Sequence, residues 1–84
     1  MPETFIVTIN DSEGYFETDL EIPSQLTFSD FKTKLLEILK IMDSRAFAGF
    51  RDYKLLYKNR ALFAGDTLAS IGAFDGSRLV VQRA

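Results

Sequence analysis

The sequence predicts an α+β fold in which a four- to five-stranded mixed sheet wraps around one main helix. Two segments of alternating apolar and polar residues open the chain, a segment with helical spacing follows them, and short strand-like segments follow that helix. Alternation with period two is typical of half-buried strands, and spacings of three and four are typical of amphipathic helices. Because a crossover through a helix is right-handed, the third strand is expected in the same sheet as the first two.

The composition predicts one small domain over residues 1–84 and excludes several classes of function. The chain has 84 residues, of which 46% are hydrophobic and 26% are charged, with a net charge of −2. This charge argues against a nucleic-acid-binding protein, which needs a basic face. The absence of Cys and His removes the ligands that zinc prefers, so we expect no metal and no cofactor. Without a long apolar run or a leader-like segment, we expect a cytoplasmic protein that does not insert into membranes.

The first twenty-two residues are expected to form a β-hairpin. Residues 4–10 alternate, with Phe5, Val7 and Ile9 on one side and Ile6 on the other. A polar turn cluster follows at residues 11–14. The second strand, residues 16–22, places acidic side chains on its outer row, and Pro23 closes it because proline cannot donate to a ladder. That acidic row consists of Glu17, Asp19 and Glu21.

A helix is predicted to begin after Thr27, which we expect as its N-cap, and to run to Met42 or beyond. Asp30 lies near the positive end of the helix dipole. Leu36 is expected on the polar side, and Gly49 is a candidate C-terminal cap if residues 46–48 continue the helix. The predicted buried stripe consists of Phe28, Phe31, Leu35, Ile38, Leu39 and Met42.

The segment from Asp43 to Asp52 has two interpretations. It contains two aromatic and two basic residues, namely Arg45, Phe47, Phe50 and Arg51. In the favoured interpretation, the phenylalanines cover the edge of the core, since aromatic residues in small domains usually fill space. The alternative is a partner-binding loop. Beyond this segment, residues 53–57 predict a third strand, residues 58–60 a turn, and residues 79–81 a last strand.

Several of these segments together resemble ubiquitin and its relatives, the β-grasp family. The matching segments are Leu20-Glu21-Ile22, Thr27 to Leu35, Lys54 to Tyr57, Gly65, Thr67-Leu68 and Leu79. The resemblance implies that Leu68 and Ile71 close the core from below, and that Gly72 and Gly76 are turn residues with positive φ. The expected core then consists of Phe5, Val7, Leu20, Ile22, Phe31, Leu35, Leu55, Leu68, Ile71, Leu79 and Val81.

Within that family, the ending Gly72 to Leu79 is most similar to the YukD type, the small bacterial ubiquitin-like proteins that accompany type VII secretion machinery. This likeness implies a non-catalytic, cytoplasmic protein whose partners are proteins, secretion components among them. The residues 82–84, Gln-Arg-Ala, contain no diglycine, so we expect no conjugation. The alternatives are an interaction domain from a larger protein and, more remotely, a small enzyme, for which no nucleophile has a neighbouring base.

The predicted protein-binding site is the sheet face that points away from the helix. Strand alternation and the family's strand order, with the last strand between the first and the third, bring two rows of side chains together on that face. The predicted site residues are Ile6, Lys54, Leu56, Lys58, Arg78, Val80 and Gln82. Ile6, Val80 and Leu56 are expected to form an aliphatic strip between an acidic and a basic flank. The alternative is an ordinary solvated sheet face, which is common in antiparallel sheets.

Overall fold

A computed structural model of the chain describes residues 3–84 and contains a five-stranded sheet and two helices. The elements are β1 (Thr4–Asp11), β2 (Glu17–Pro23), α1 (Phe28–Met42), α2 (Ser44–Phe47), β3 (Tyr53–Tyr57), β4 (Arg60–Ala61) and β5 (Arg78–Arg83). The strand order is β2-β1-β5-β3-β4. Only the β1–β5 pair is parallel, and the other neighbouring strands are antiparallel. The predicted α+β fold is confirmed, with the last strand between the first and the third.

The core lies between the sheet and α1, as the alternation of the strands predicts. Most of the expected core residues are buried, and Val7, Leu55, Leu68, Leu79 and Val81 are completely enclosed. Leu20 and Ile71 are only partly buried, although both pack against the core. Removing this much apolar surface from water is the main favourable contribution to folding.

Three predictions for α1 differ from the structure. Leu36, expected on the polar side, is half-buried and packs against the core. Ile38, expected in the buried stripe, is only partly buried. Met42, expected in the same stripe, is 49% exposed. Met42 is the last residue of α1, where the helix ends and the Asp43 N–H donates to the carbonyl of Leu39 at 2.9 Å. The helix therefore reaches past the core at this end.

The segment between α1 and β3 follows the favoured interpretation, in which its aromatic residues fill space. Phe47 is completely buried, and Phe50 is buried against it with the ring centroids 5.0 Å apart. The helix does not continue through this segment, because Asp43 breaks it and caps α2 by accepting from the Ala46 N–H at 3.1 Å. Gly49 does not have positive φ and is not a left-handed cap. A Cβ at Gly49 would lie 2.8 Å from the guanidinium of Arg83, so the small residue leaves room for that side chain.

The connection from β4 to β5 fixes the start of α1. Thr27 is the N-cap residue as predicted, but its side chain makes no capping bond. Instead, the Phe28 N–H donates to the carbonyl of Asp66 and the Ser29 N–H to the carbonyl of Ala64. Two of the donors that a helix N-terminus leaves open are therefore satisfied by a distant loop. Further along this connection Gly72 and Gly76 have φ of 83° and 90°, which confirms that the turns there need glycine.

Candidate protein-binding face

The sheet has one face packed on α1 and one face open to solvent, which we call the outer face. Every predicted site residue lies on this outer face or in the turn that borders it. Ile6 is 53% exposed, Leu56 and Val80 are half-buried, and the polar and charged members are exposed. Lys58 follows β3 in a turn where it and Asn59 have φ of 51° and 66°, as the tightest hairpins require. Those exposed members are Lys54, Lys58, Arg78 and Gln82.

The centre of the outer face is a direct pair of aliphatic residues. Val80 of β5 lies opposite Leu56 of β3, and Leu56 lies opposite Ala61 of β4. On its other side Val80 lies opposite Asn10 of β1. Gln82 lies opposite Lys54 one row further along. The apolar patch is therefore narrow, three residues wide across β5, β3 and β4.

Ile6 does not extend this patch, so the predicted continuous strip is wrong in its geometry. The parallel register pairs Thr8 with Arg78 and Asn10 with Val80. Ile6 is thus four residues along β1 from the row of Val80, about 13 Å at the rise of a strand. The polar pair of Thr8 and Arg78 lies between them. The sequence did not predict this separation, because alternation assigns a residue to a face but does not specify the register between parallel strands.

The acidic and basic sides of the outer face meet rather than lie apart. The Arg78 guanidinium contacts the Glu17 carboxylate at 2.6 Å, with both side chains more than half exposed. Such an exposed ion pair contributes at most about 1 kcal/mol. Asp19 and Glu21 accept from the hydroxyls of Thr8 and Thr4, each at 2.7 Å. These neutral donors hold the two carboxylates in place but do not balance their charge.

An exposed aromatic residue absent from the predicted site borders the aliphatic pair. Phe74 is 59% exposed and lines a shallow groove of about 400 Å³ together with Val80, Lys58 and Arg78. The groove thus joins an aromatic ring, an aliphatic side chain, a lysine and an arginine, and aromatic residues and arginine are enriched at protein interfaces. Sequence reasoning treated Phe74 only as part of a glycine-containing turn. An aromatic residue in a solvent-exposed turn was the signal that could have identified it.

The position of Phe74 follows from the loop that contains it. Ser77, which is buried, accepts from the Phe74 N–H through its hydroxyl at 2.9 Å and donates its own N–H to the Phe74 carbonyl at 3.0 Å. Gly76 donates its N–H to the Ile6 carbonyl at 2.8 Å, and the Asp75 carboxylate accepts the Ile6 N–H at 2.8 Å. These bonds anchor the loop to β1 and hold Phe74 beside β5.

The two groups with shifted pKa values, Asp52 and Tyr53, lie away from the groove beside Phe74, where the start of β3 contacts Lys32 of α1. The ammonium of Lys32 lies 2.6 Å from Asp52 and, with the N–H of Tyr53, holds the pKa of that carboxyl below its usual range. Burial raises the pKa of the Tyr53 hydroxyl, which donates to the Lys32 carbonyl at 2.6 Å. These groups attach the helix to the sheet and do not face the groove beside Phe74.

Two classes of site are not found in residues 3–84. That part of the chain has no group of three or more acidic residues placed to hold a metal ion. It also contains no helix with the length and apolar content needed to cross a bilayer. The outer face carries aliphatic, aromatic and charged side chains.

Comparison with solved structures shows the same fold in ubiquitin-like domains. No protein-family model matches the chain, and no curated protein matches it in sequence. Caldiarchaeum subterraneum ubiquitin is 25% identical, with a TM-score of 0.73 over 96% of this chain and 94% of that one. The ubiquitin-like domain of the Mycobacterium tuberculosis type VII secretion system protein ECCD1 is 24% identical, with a TM-score of 0.72 over 98% and 99%.

A third similar structure is much longer than this chain. In the MycP5-free ESX-5 inner membrane complex, one chain is 19% identical with a TM-score of 0.80. The match covers 99% of the present chain but 21% of that protein. The fold shared with all three structures is that of ubiquitin-like β-grasp domains.

Proposed function

We propose that this ubiquitin-like β-grasp chain is a non-catalytic protein-interaction module that works in the cytoplasm as an accessory component of a type VII secretion system. The groove formed by Phe74, Val80 and Lys58 beside Leu56 is the observation on which the proposal depends. It is an exposed apolar centre with a basic rim on a rigid sheet, the arrangement expected of a docking site.

The secretion role is supported by the domains that share the fold. One of them is the ubiquitin-like domain of a type VII secretion protein, and another lies in an ESX-5 inner membrane complex. A second candidate is a ubiquitin-like interaction domain of a larger protein. It is favoured by the match that spans 99% of this chain and only 21% of the ESX-5 chain.

We also propose that the chain is not conjugated to other proteins as a modifier. Such a modifier needs a flexible diglycine, whereas residues 3–84 contain no two adjacent glycines and Gln82 and Arg83 are part of β5. The Arg83 guanidinium also lies over the Phe50 ring, 4.9 Å from its centroid. Incubation with an ATP-dependent activating enzyme should give no adenylate or thioester of the chain, and mass spectrometry would detect either.

Affinity purification from the native cell tests the docking role. The double variant Leu56→Ser/Val80→Asp should remain folded, because both side chains lie on the outer face, while capture of the partner should weaken about tenfold, or 1.4 kcal/mol. Mass spectrometry should identify type VII secretion components among the captured proteins. Undiminished capture by the folded variant would contradict the site, and capture without any secretion component would contradict the role.

A further inference from the structure

A cleft of about 320 Å³ lies at the β4 edge of the sheet, between the β3–β4 hairpin and the connection that follows β4. Its volume is at the lower end of the range for sites that enclose a small ligand or a few side chains. One wall comes from residues 57–62 and the other from residues 66–71. The cleft can therefore hold an apolar group and a charged group side by side. Its lining combines an apolar part, Tyr57, Leu62 and Ile71, with the charged residues Lys58, Arg60 and Asp66.

The apolar floor of the cleft accounts for one expected core residue that is not fully enclosed. Ile71 packs against the core but is only partly buried, and it lines the cleft. Leu62 and Tyr57 are buried on the opposite wall. The Tyr57 hydroxyl reaches the Gly72 carbonyl at 3.5 Å, at the limit of a hydrogen bond, so it joins the two walls only weakly. An apolar side chain of another molecule would remove the remaining surface of Ile71 from water.

Both walls of the cleft are fixed by hydrogen bonds. On the strand side, the Leu62 N–H donates to the Leu55 carbonyl at 2.8 Å. On the other side, the Ser70 hydroxyl accepts the Thr67 N–H and donates to the Thr67 carbonyl, both at 2.9 Å. Because its walls are already ordered, the cleft imposes little ordering cost on the binding of another molecule.

The antiparallel ladder places Arg60 at the cleft. Arg60 lies opposite Tyr57, and cross-strand neighbours project from the same face of a sheet. Its side chain therefore lies on the side of the sheet that carries the cleft, and it is exposed there. Because the Leu62 N–H faces β3, the backbone N–H and C=O of Ala61 face the open edge.

The two cations of the cleft have no carboxylate partner within residues 3–84. The ion pairs in that part of the chain use other cations. The Lys58 ammonium lies 5.4 Å from the centroid of the Tyr57 ring, and Arg60 is exposed. Asp66, on the opposite wall, already accepts the Phe63 N–H at 2.8 Å. The cleft thus has a positive excess, with two basic groups open to an anionic one.

The charges of the whole chain are segregated in the same sense. All ten basic residues lie at or after Lys32, whereas seven of the twelve acidic residues precede it. The acidic row of β2 forms one edge of the sheet, and the β3–β4 hairpin, with three basic residues and no acidic one, forms the other. Fields of this kind orient a charged partner during encounter. An acidic partner is therefore attracted to the β4 edge and repelled from the β2 edge.

We propose that this cleft binds an acidic segment of a partner protein in which one apolar side chain stands between Asp or Glu residues. The apolar side chain enters the cleft between Leu62 and Ile71, and the flanking carboxylates contact Arg60 and Lys58. The planar guanidinium of Arg60 offers two parallel N–H donors to a carboxylate, a geometry that lysine lacks. Because β4 is only two residues long, the backbone of Ala61 pairs with a single residue of the segment.

A peptide titration of the intact chain tests this proposal. The probe is a blocked peptide with a central Leu and two Glu residues on each side of it. Nuclear magnetic resonance should show shifts at residues 57–62 and 66–71 and none in β2. The same peptide with Lys in place of Glu should bind about tenfold more weakly, and added salt should reduce the difference. Equal affinity of the two peptides, or shifts confined to Phe74 and Val80, would overturn the proposal.

A change in the peptide tests the apolar contact without altering the fold of the protein. Ser in place of the central Leu keeps every charge of the peptide but removes the group that enters the cleft. Binding should weaken about tenfold, because the floor at Leu62 and Ile71 then stays in contact with water. Undiminished binding of the Ser peptide would reduce the interaction to surface charge and exclude the cleft.

Two matched single variants test the charge contribution. Arg60→Gln removes one cation from the cleft and should weaken the Glu peptide about tenfold. Arg51→Gln makes the same change in net charge at an exposed position that does not line the cleft, and it should bind as the parent does. Arg60→Lys keeps the charge but not the bidentate geometry, so it should restore only part of the affinity. Equal effects of Arg60→Gln and Arg51→Gln would refute the site.

The cleft can be tested independently of the docking site on the outer face. Lys58 lines both the cleft and the groove at Phe74, but Arg60 lines only the cleft. Leu56→Ser/Val80→Asp should therefore bind the Glu peptide as the parent does, and loss of binding would place the peptide on the outer face and overturn the proposal. Self-association of the free chain that Arg60→Gln abolishes, measured by sedimentation, would make a second copy the occupant and also overturn it.

Discussion

The backbone N–H of Phe28 donates to the backbone carbonyl of Asp66 at 2.8 Å, which joins the first turn of α1 to the loop before β5. The next residue, Ser29, donates to Ala64 at 3.0 Å. The loop is itself held by the Asp66 carboxylate, which accepts the Phe63 N–H at 2.8 Å. The helix is therefore capped by the loop between β4 and β5, and its N-terminus becomes part of the tertiary structure.

We expect Asp66→Ala to loosen this cap. Loss of the carboxylate leaves the Phe63 N–H without its partner and should lower the free energy of unfolding by about 1 kcal/mol. Hydrogen exchange at the amides of Phe28 and Ser29 should accelerate more than exchange in the middle of α1. Glu37→Ala, an exposed substitution in the same helix, should change neither quantity measurably. Unchanged exchange at Phe28 in the Asp66 variant would contradict this account of the cap.

The sequence predicted the position of this cap but not its partner. Thr27 is a good N-cap residue type, and local rules identify such positions. The carbonyls that satisfy the helix come from residues 64 and 66, and no local signal connects those residues to Thr27. The same limit explains the error at Ile6, since alternation assigns a face but not the parallel register between β1 and β5. Gly72 and Gly76 were predictable because positive φ is a property of single residues.

The core assignment predicts a large loss of stability in Leu68→Ala and in Leu35→Ala. Leu68 is completely buried and Leu35 is 3% exposed, so each truncation removes apolar contacts and leaves a cavity. We expect the free energy of unfolding to fall by about 2 to 5 kcal/mol in each case. Leu36→Ala, at a half-buried position on the same helix, should cost less. Denaturant unfolding measures all three, and a loss below about 0.5 kcal/mol at both buried sites would contradict the core.

Replacing each of the three glycines between β4 and β5 by alanine should separate the effect of backbone strain on stability from the effect of steric contact. None of Gly65, Gly72 and Gly76 has an atom within 4 Å of an added Cβ. Gly72 and Gly76 have positive φ, so alanine there should destabilise the fold by about 1 kcal/mol. Gly65 does not, so Gly65→Ala should be neutral or stabilising by less than about 1 kcal/mol. Thermal unfolding of the three variants tests this order, and equal effects at all three would contradict the conformational argument.

The contact between Lys32 and Asp52 predicts a pH dependence of stability. Because the pKa of Asp52 is lowered from its usual value of 3.8 in the folded chain, its contribution is present above that value and is lost as the pH falls through the folded pKa. Asp52→Asn should be less stable than the parent near neutral pH, and the difference should close below about pH 4. Lys32→Met should weaken the same dependence, and the Tyr53 N–H should retain part of it. A difference that stays constant from neutral to acid pH in denaturant unfolding would contradict this contribution.

The groove on the outer face predicts that Phe74 contributes to partner binding as much as the aliphatic pair does. Phe74 is 59% exposed and borders Val80, Lys58 and Arg78, so a partner that covers its ring would remove apolar surface from water. Phe74→Ser should preserve the fold, because the neighbouring turn is held by Ser77 and Gly76 rather than by the ring. Capture of the partner should weaken about tenfold.

Ile41→Ser is the control for this prediction. It removes an even more exposed side chain, 84% accessible near the end of α1, and the variant should bind the partner as the parent does. Equal losses from the two variants would indicate a general effect of surface hydrophobicity, and a loss from Ile41→Ser alone would move the docking site to the end of the helix.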